Sequence, residues 1–419
     1  MDSCSGSAHD KSSCSNNPSQ KQRSNMKGGS EFPHGTPPSG FYVAGAWTAA
    51  GLATTIYVRN PQLKMRIAFD MGYFSEKVLS ADHVFISHGH TDHIGAIFSH
   101  ARGHNLGQNK PVRYYVPPAI LPPLLKLRAA LEELDGGPIP CELVPLGPGD
   151  PPADLGRGVT ARAFATDHRV PSQGYAIFSK SVKGLKEEYR GKPKNELIAL
   201  KKAGVEINRV VETTEVVYSG DTTLHPFISR RPSTAKNEDN EQPLQESPSH
   251  APFQSQPDEG KERDSVEASV KASITSNKKE FQDQHGDARL SNLSKAGQWA
   301  WAARLLLLEV TYLEREDARE RRNACERKHV HLGDLFDHDV ASLSQNQQIV
   351  FVHLSKKYRH HRTACEVLAR NIPQNWTLLP RVYVCLHLFG HQEFCTAILP
   401  VVKNDEEMQV SSEQEICTS

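Results

Sequence analysis

The sequence predicts an α+β fold in which two sheets pack face to face with helices outside. Three observations predict it. Short runs rich in apolar residues recur along the chain, bounded by Gly, Pro, Asn and Asp. Two of those runs, 304–308 and 349–353, are almost continuously apolar, as central strands covered on both faces are. Helical spacing of apolar residues is confined to a few short intervals.

The elements follow in order. Strands at 54–58 and 65–69 join through a turn at Asn60-Pro61. Residues 84–87 form a short buried strand that enters a His-rich loop, with a helix expected after it. A strand at 113–116 precedes a leucine-patterned helix over 122–134. Strands at 159–166 and 174–179 flank Asp167-His168. Another, 215–219, runs into Gly220-Asp221-Thr222. The central strands at 304–308 and 349–353 come next, with helices across 332–343 and 363–370. The last expected strand is 381–388.

The chain has 419 residues, 49 basic and 49 acidic, for a net charge of zero. Neutrality overall does not exclude nucleic-acid binding, because a basic face can be balanced elsewhere. Segments 1–38, 229–297 and 403–419 are poor in apolar residues and rich in Ser, Gln, Lys and Glu. Such chain cannot bury enough surface to offset its ordering entropy, so a disordered N-terminal tail, insertion and acidic C-terminal tail are expected. One catalytic domain over 39–402 remains. The eight cysteines make no CxxC pair and no secretory signal is visible. They are expected to be reduced, in the cytoplasm or nucleus, with an organelle left open by the Ser-rich, acid-poor N-terminus. No apolar run approaches the ~18 residues of a membrane span, so no membrane partner is expected.

The chemistry concentrates at Ser87-His88-Gly89-His90-Thr91-Asp92-His93. His88, His90, Asp92 and His93 place imidazole nitrogens and a carboxylate just after a strand, a donor set suited to zinc. One loop cannot complete a two-metal site. His168, Asp221 and His353 each follow an apolar run and precede a polar turn. Taken singly, each is more often a hydrogen-bonded strand end or a turn residue; together, in this order, they are candidate ligands.

HxHxDH, then a lone His, then GD, then a strand-ending His resembles the motif order of the metallo-β-lactamase superfamily. The finer resemblance is to ribonuclease Z. Ser219-Gly220-Asp221-Thr222-Thr223 is similar to its GDT motif, and Leu308-Glu309-Val310-Thr311-Tyr312 to its E-x-T-F/Y motif. His329-Val330-His331-Leu332 is similar to its downstream histidine motif, and His353-Leu354-Ser355-Lys356-Lys357-Tyr358 to HFSxRY. Ser172-Gln173-Gly174-Tyr175 also resembles a family pattern.

The resemblance, to the short form of the family, implies a four-layer αβ/βα metallo-β-lactamase sandwich with a protruding basic arm. It implies two Zn2+ per subunit, the first on His88, His90 and His168, the second on Asp92, His93 and His353, with Asp221 between them. Asp92 would also orient or deprotonate a water that the metals acidify. Glu309 and His329 would form a couple that protonates the leaving 3′ oxygen. Asp70 would orient a ligand histidine. The implied reaction is removal of the 3′ trailer from precursor tRNA, leaving a 3′-hydroxyl.

Residues 180–209 are basic, and Gly184, Gly191 and Pro193 make the stretch look irregular. Without the resemblance, an ordinary solvated loop would explain it equally well. With it, the segment corresponds to the family's RNA-clamping arm, whose phosphate contacts would come from Lys186, Arg190, Lys192, Lys194, Lys201 and Lys202. The resemblance further implies a homodimer in which one subunit's arm holds RNA cut by the other. One departure is Lys357, where the family has arginine; the charge stays but the planar bidentate donor is lost. Lys357 remains a candidate substrate contact. The alternative reading is a hydrolase of a small thioester or phosphodiester on the same scaffold, which needs neither the arm nor the Glu309/His329 couple.

Overall fold

The computed structural model describes residues 40–108, 110–228, 293–358, 361–373, 375–378, 381–387 and 396–400. The expected N- and C-terminal tails and most of the expected insertion lie outside the described residues.

Strands β1 (Tyr42–Ala49), β2 (Ala53–Asn60), β3 (Met65–Phe69), β4 (His83–Phe85), β5 (Val112–Val116) and β6 (Cys141–Pro145) form the first sheet, in chain order. The second sheet holds β7 (Ala153–Gly156), β8 (Val159–Ala165), β9 (Gln173–Leu185), β10 (Asn208–Tyr218), β11 (Leu305–Glu309), β12 (Gln348–Val352), β13 (Val382–His387) and β14 (Thr396–Pro400), also in sequence order. From β3 to β6, and again from β10 to β13, neighbouring strands are parallel. Parallel pairing needs crossover connections, and their helices cover the outer faces.

Side-chain alternation sets the layers. Ile56, Ile67, Phe69 and Phe85 of the first sheet meet Ile177, Val216, Leu307 and Val350 of the second in a core between the sheets. On the first sheet's other face, Ala68, Val84 and Tyr114 pack against Phe98 and Ala101 of α2 (Ile97–Gln108) and Leu124 of α3 (Leu121–Asp135). On the second sheet's other face, Leu306, Leu308 and Phe351 pack against Trp301, Leu335 and Leu368. These belong to the helices Lys295–Ala302, Leu332–Asp337 and His361–Asn371. Leu305 and Leu307 thus face one core while Leu306 and Leu308 face another, which explains why 304–308 is apolar throughout. The result is helix, sheet, sheet, helix.

Several elements depart from the sequence reading. β1 was not expected: its Ala- and Gly-rich sequence, with a bulge between Val43 and Gly45, hides the strand pattern. β14 follows the strand expected to be last. Helix Lys295–Ala302 starts inside the expected disordered insertion, because Ser294 Oγ accepts from Gly297 N–H and Ala296 and Trp301 are buried. The single helix expected over 332–343 is two, Leu332–Asp337 and Val340–Leu343, broken at Asp339 with φ 45°. Residues 180–209 are irregular only at the turns around Gly191, Pro193 and Gly204; the rest is regular. β9 and β10 pair from Tyr175↔Tyr218 out to Leu185↔Asn208, and helix α4 (Lys194–Lys202) closes the tip.

Candidate metal centre

The centre lies at the carboxyl ends of β3, β4 and β12, where parallel strands deliver side chains from rigid positions. Asp70 follows β3 and His353 follows β12, both with backbone in the left-handed region, at φ 55° and 59°. For residues with a Cβ that conformation is sparsely populated and strained, and it persists only where surroundings over-determine it. Asp70 is held by four donors: Ser87 N–H at 2.6 Å, Ser87 Oγ at 2.8 Å, His93 Nδ1 at 2.7 Å and Tyr218 OH at 2.6 Å. His353 N–H donates to Thr48 Oγ1 at 2.8 Å.

Beyond β4, Ser87 to His90 turn into α1 (Thr91–Ile94), which carries Asp92 and His93. Gly72 makes this approach possible, since a Cβ there would fall 1.8 Å from Asp92 O. Asp92 Oδ2 accepts from Gly51 N–H of the β1–β2 turn at 2.8 Å.

All seven expected ligands converge. His88 Nε2 lies 2.9 Å from His90 Nδ1, and His168 Nε2 lies 3.4 Å from that same atom. In a second group, Asp92 Oδ2 lies 3.6 Å from His93 Nε2 and 3.8 Å from His353 Nε2. Asp221 Oδ2 joins the groups: it is 3.8 Å from His88 Nε2, 4.0 Å from His168 Nε2, and 3.4 Å from the Nε2 atoms of both His93 and His353.

Outer partners fix which nitrogen faces inward. His93 Nδ1 donates to the Asp70 carboxylate, and His168 Nδ1 to Lys328 O at 3.1 Å. Ser87 Oγ gives its proton to Asp70 and so accepts from His88 Nδ1 at 2.9 Å. Thr311 Oγ1 donates to Glu309 Oε2 and accepts from His353 Nδ1 at 3.1 Å. Each of these four histidines is thereby oriented with Nε2 toward the centre.

The site suits a cation. His93 Nε2, His353 Nε2 and Asp221 Oδ1 are buried with no hydrogen-bond partner. Burial without a partner costs about 1–3 kcal/mol per group, which a bound metal ion would relieve. Burial holds His88, His90 and His168 below the usual imidazole range, in the neutral form a metal needs. For His93 burial also opposes charge, but Asp221 and Asp70 outweigh it and raise its affinity for a proton, a cation in the same place. Ligand-capable atoms of His88, His90, His168 and Asp221 form one compact group, and those of Asp92, His93 and His353 another.

Glu309 is wholly buried beside this cluster. Its Oε1 accepts from His329 Nδ1 at 2.9 Å, Val330 N–H at 3.1 Å and Thr222 N–H at 3.2 Å. Glu309 therefore ties three segments together as well as pairing with His329. Burial disfavours charge on His329, but the Glu309 carboxylate overrides it and holds the imidazole above its ordinary value. The His329 ring stacks on His353, centroids 5.3 Å apart, and lies 5.1 Å from His168. Sequence reasoning missed this third grouping, of His329 with Asp221 and His353. It also missed Tyr218 OH and Lys328 O, because a hydroxyl on a strand and a backbone carbonyl carry no sequence signature.

The basic residues stand elsewhere. Gln173 N–H donates to Ser87 O at 3.0 Å, so β9 starts at the metal end. Its 13 residues run about 40 Å in the other direction. Lys194, Lys201 and Lys202 are exposed on α4, and Lys186 is half-buried at its base. Arg190 pairs with Glu187 at 2.7 Å and Lys192 with Glu196. Lys357 pairs with Glu320, a buried carboxylate that also accepts from Tyr358 OH at 2.7 Å.

A helix–sheet–sheet–helix sandwich with histidines and carboxylates gathered at its strand ends defines the metallo-β-lactamase fold class. Among sequence relatives, tRNase Z TRZ1 of Arabidopsis thaliana is 38% identical over 159 residues, 38% of this chain and 56% of that protein. The chloroplastic tRNase Z TRZ2 of the same plant is 32% identical over 175 residues, 42% of this chain and 48% of that protein. The chain thus spans about half the length of these two relatives. The nuclear ribonuclease Z of Triticum aestivum is 36% identical over 147 residues, 35% of this chain and 82% of that protein. The chain belongs to the ribonuclease Z family. No protein-family model matches it. Solved structures align loosely. The short form of human tRNase Z has a TM-score of 0.39 and 15% identity over 77% of this chain and 93% of that one. The metallo-β-lactamase fold protein YhfI of Bacillus subtilis has a TM-score of 0.41 and 13% identity, over 79% and 92%. The assignment rests on the sequence relatives.

Proposed function

We propose that this chain is a zinc-dependent endoribonuclease that removes the 3′ trailer from precursor tRNA and leaves a 3′-hydroxyl. The observation that carries this reading is Asp221 Oδ2 poised between two ligand groups, with the Glu309/His329 couple beside it. His88, His90, His168 and Asp221 would hold one Zn2+, and Asp92, His93, His353 and Asp221 a second. Bound there, the pair supplies Lewis acidity that polarises a phosphodiester and acidifies water.

The chain's own residues do the rest. Asp92, the most accessible of the three acids Asp70, Asp92 and Asp221, orients the attacking water and takes its proton. His329, kept protonated by Glu309, gives a proton to the leaving 3′ oxygen. Ser87, Thr311, Asp70 and Lys328 O hold the ligand rings in place. Lys186, Lys194, Lys201 and Lys202 on the arm contact RNA phosphates, with Arg190 and Lys192 available once their local acids are displaced. Lys357 is already engaged by Glu320, so its role is to brace the loop after His353. The arm leaves the sandwich at the end remote from the metal centre, which supports a homodimer in which one subunit grips RNA cut by the other.

None of the helices among the described residues is long and apolar enough to cross a membrane. The relatives' names place one in the chloroplast and one in the nucleus.

The test is incubation with a 3′-extended precursor tRNA, with and without a chelator, followed by mapping of the cut. A single chelator-sensitive cut near the discriminator base, leaving a 3′-hydroxyl, is expected. No cut, together with turnover of a thioester or a simple phosphodiester, would move the activity to a small substrate.

A further inference from the structure

At the opposite end of the sandwich from the metal centre, the strand starts enclose a second concavity. It has a volume of about 880 Å³ and is lined by the entries to β3, β4, β5 and β6 and by the β2–β3 and β7–β8 turns. Six cationic side chains line it, Arg59, Lys64, Arg66, Lys110, Arg113 and Arg157, against two carboxylates, Asp82 and Glu142. That local excess stands out in a chain whose net charge is zero.

The carboxylates do not neutralise it. Asp82 accepts from Arg66 Nε at 2.9 Å and from Lys110 Nζ at 2.8 Å, and Glu142 from Arg113 Nε at 2.7 Å. Arg59 and Lys64 have no side-chain partner among the described residues. Arg157 meets only neutral acceptors: its Nη1 donates to Leu63 O at 2.7 Å and to Lys64 O, which leaves the rest of the guanidinium free. Burial pushes the His83 imidazole in the cleft down to about 4, so at neutral pH the charge of the cleft does not depend on it. Three cations without counter-ions, converging on a concave surface, suit phosphate oxygens; two are guanidinia able to grip them in bidentate fashion.

The position of the cleft says whose phosphates. Lys180 N–H donates to Gly158 O at 2.8 Å, so the stem of the arm leaves the sandwich beside the turn that carries Arg157. The cleft and the exposed lysines of α4 therefore lie toward the same end, away from the metal ligands. We infer that this cleft is a phosphodiester-binding surface that grips the body of the same folded RNA as the arm, through Arg59, Lys64 and Arg157. The inference rests on the RNA-processing reading above. It extends the RNA contact from a thin arm to the base of that arm, so that the gripping and cutting surfaces occupy opposite ends of one subunit.

The experiment compares wild type, an Arg59→Glu/Lys64→Glu variant and a milder Arg59→Gln/Lys64→Gln variant. Each is titrated with fluorescent 3′-extended precursor tRNA across a salt series, and each is assayed on bis(p-nitrophenyl) phosphate. The expected result is binding weaker by about tenfold or more for the charge reversal, with a log K against log salt slope shallower by about 2 in both variants. Hydrolysis of the small diester stays at the wild-type rate, which reports an intact fold and centre. Unchanged affinity and slope in both variants, with wild type binding RNA normally, would overturn the cleft alone. Failure of wild type to bind RNA would overturn both the cleft and the reading it rests on. A wild-type thermal shift with tripolyphosphate that the variants lose, without any change in RNA binding, would also overturn it and assign the cleft to a small anion.

Discussion

Asp92 and Asp221 are both ligand-type acids, but their surroundings divide their roles. Asp221 is fully enclosed, and its carboxyl is held low because His353 and His93 overcome the burial penalty. Asp92 retains 14% side-chain exposure and an accepting bond only from a turn amide and the ring edges. Asp92→Ala is therefore expected to lower single-turnover cleavage at least 100-fold while precursor tRNA binding changes less than about threefold. Parallel loss of binding, measured by anisotropy, would make Asp92 structural. Glu309 offers a pH test. In wild type, His329 is charged below its raised value and loses its proton as pH rises through it, so the alkaline limb of the rate profile should track this group. Glu309→Gln removes the largest upward influence, so the alkaline limb should move to lower pH. A limb that stays in place would assign the proton to another group.

At the scale of elements, the arm and the central strands make opposite demands. The outer parts of β9 and β10 pair only with each other, leaving Val182 and Val210 exposed. Removing them should cost the sandwich little. Deletion of 186–207, replaced by a short turn, is expected to weaken precursor tRNA binding at least tenfold while sparing hydrolysis of bis(p-nitrophenyl) phosphate. Equal loss on both substrates would show that the arm supports the centre rather than the RNA. β12 is the contrary case. Phe351 is fully buried against the outer helices, and His353 follows the end of the same strand. Phe351→Ala should cost about 3–5 kcal/mol of stability by urea denaturation, far more than an exposed arm substitution such as Val210→Ala.

The whole molecule couples its fold to its ligand. The centre binds segments from both sheets: Asp70, the HxHxDH loop, Asp221 and His353 all end there, and Thr48 and Gly51 reach in from β1 and its turn. A metal ion filling the unpartnered Nε2 and Oδ1 atoms binds only the folded state, so it should raise stability by about 2.7 kcal/mol at a hundredfold excess over its dissociation constant. Treatment with a chelator should lower Tm, and re-addition of Zn2+ should restore it. Asp70→Asn, which removes the acceptor that orients His93, should weaken metal affinity about 10–100-fold. A Tm indifferent to chelator would count against a resident metal.

The candidate ligands could be picked out because His88, His168, Asp221 and His353 each follow an apolar run, with His90, Asp92 and His93 in the loop and helix just beyond the first; the pattern of runs likewise revealed the two-sheet plan. Asp70, which follows a strand, was also singled out in the sequence as an orienting residue, and the structure places its carboxylate against His93 Nδ1. What it did not reveal depends on distance in space. Whether Glu309 touches His329, 20 residues away, was settled only by the parallel β10–β11–β12 pairing that carries Glu309 beside Thr222 and His329. The arm looked irregular because its glycines and proline dominate the local pattern; Gly191 and Pro193 do lie in turns, but Gly184 is carried within the paired β9 and β10 stem. That Lys357, a candidate phosphate contact in the sequence, pairs with Glu320 is visible only in the tertiary packing. The basic cleft is the plainest example: Arg59, Lys110 and Arg157 are far apart in the chain and unremarked there, and only the convergence of strand starts makes them neighbours. Local chemistry is written in the order of residues, whereas charge pairing and concavity come from which strand lies beside which.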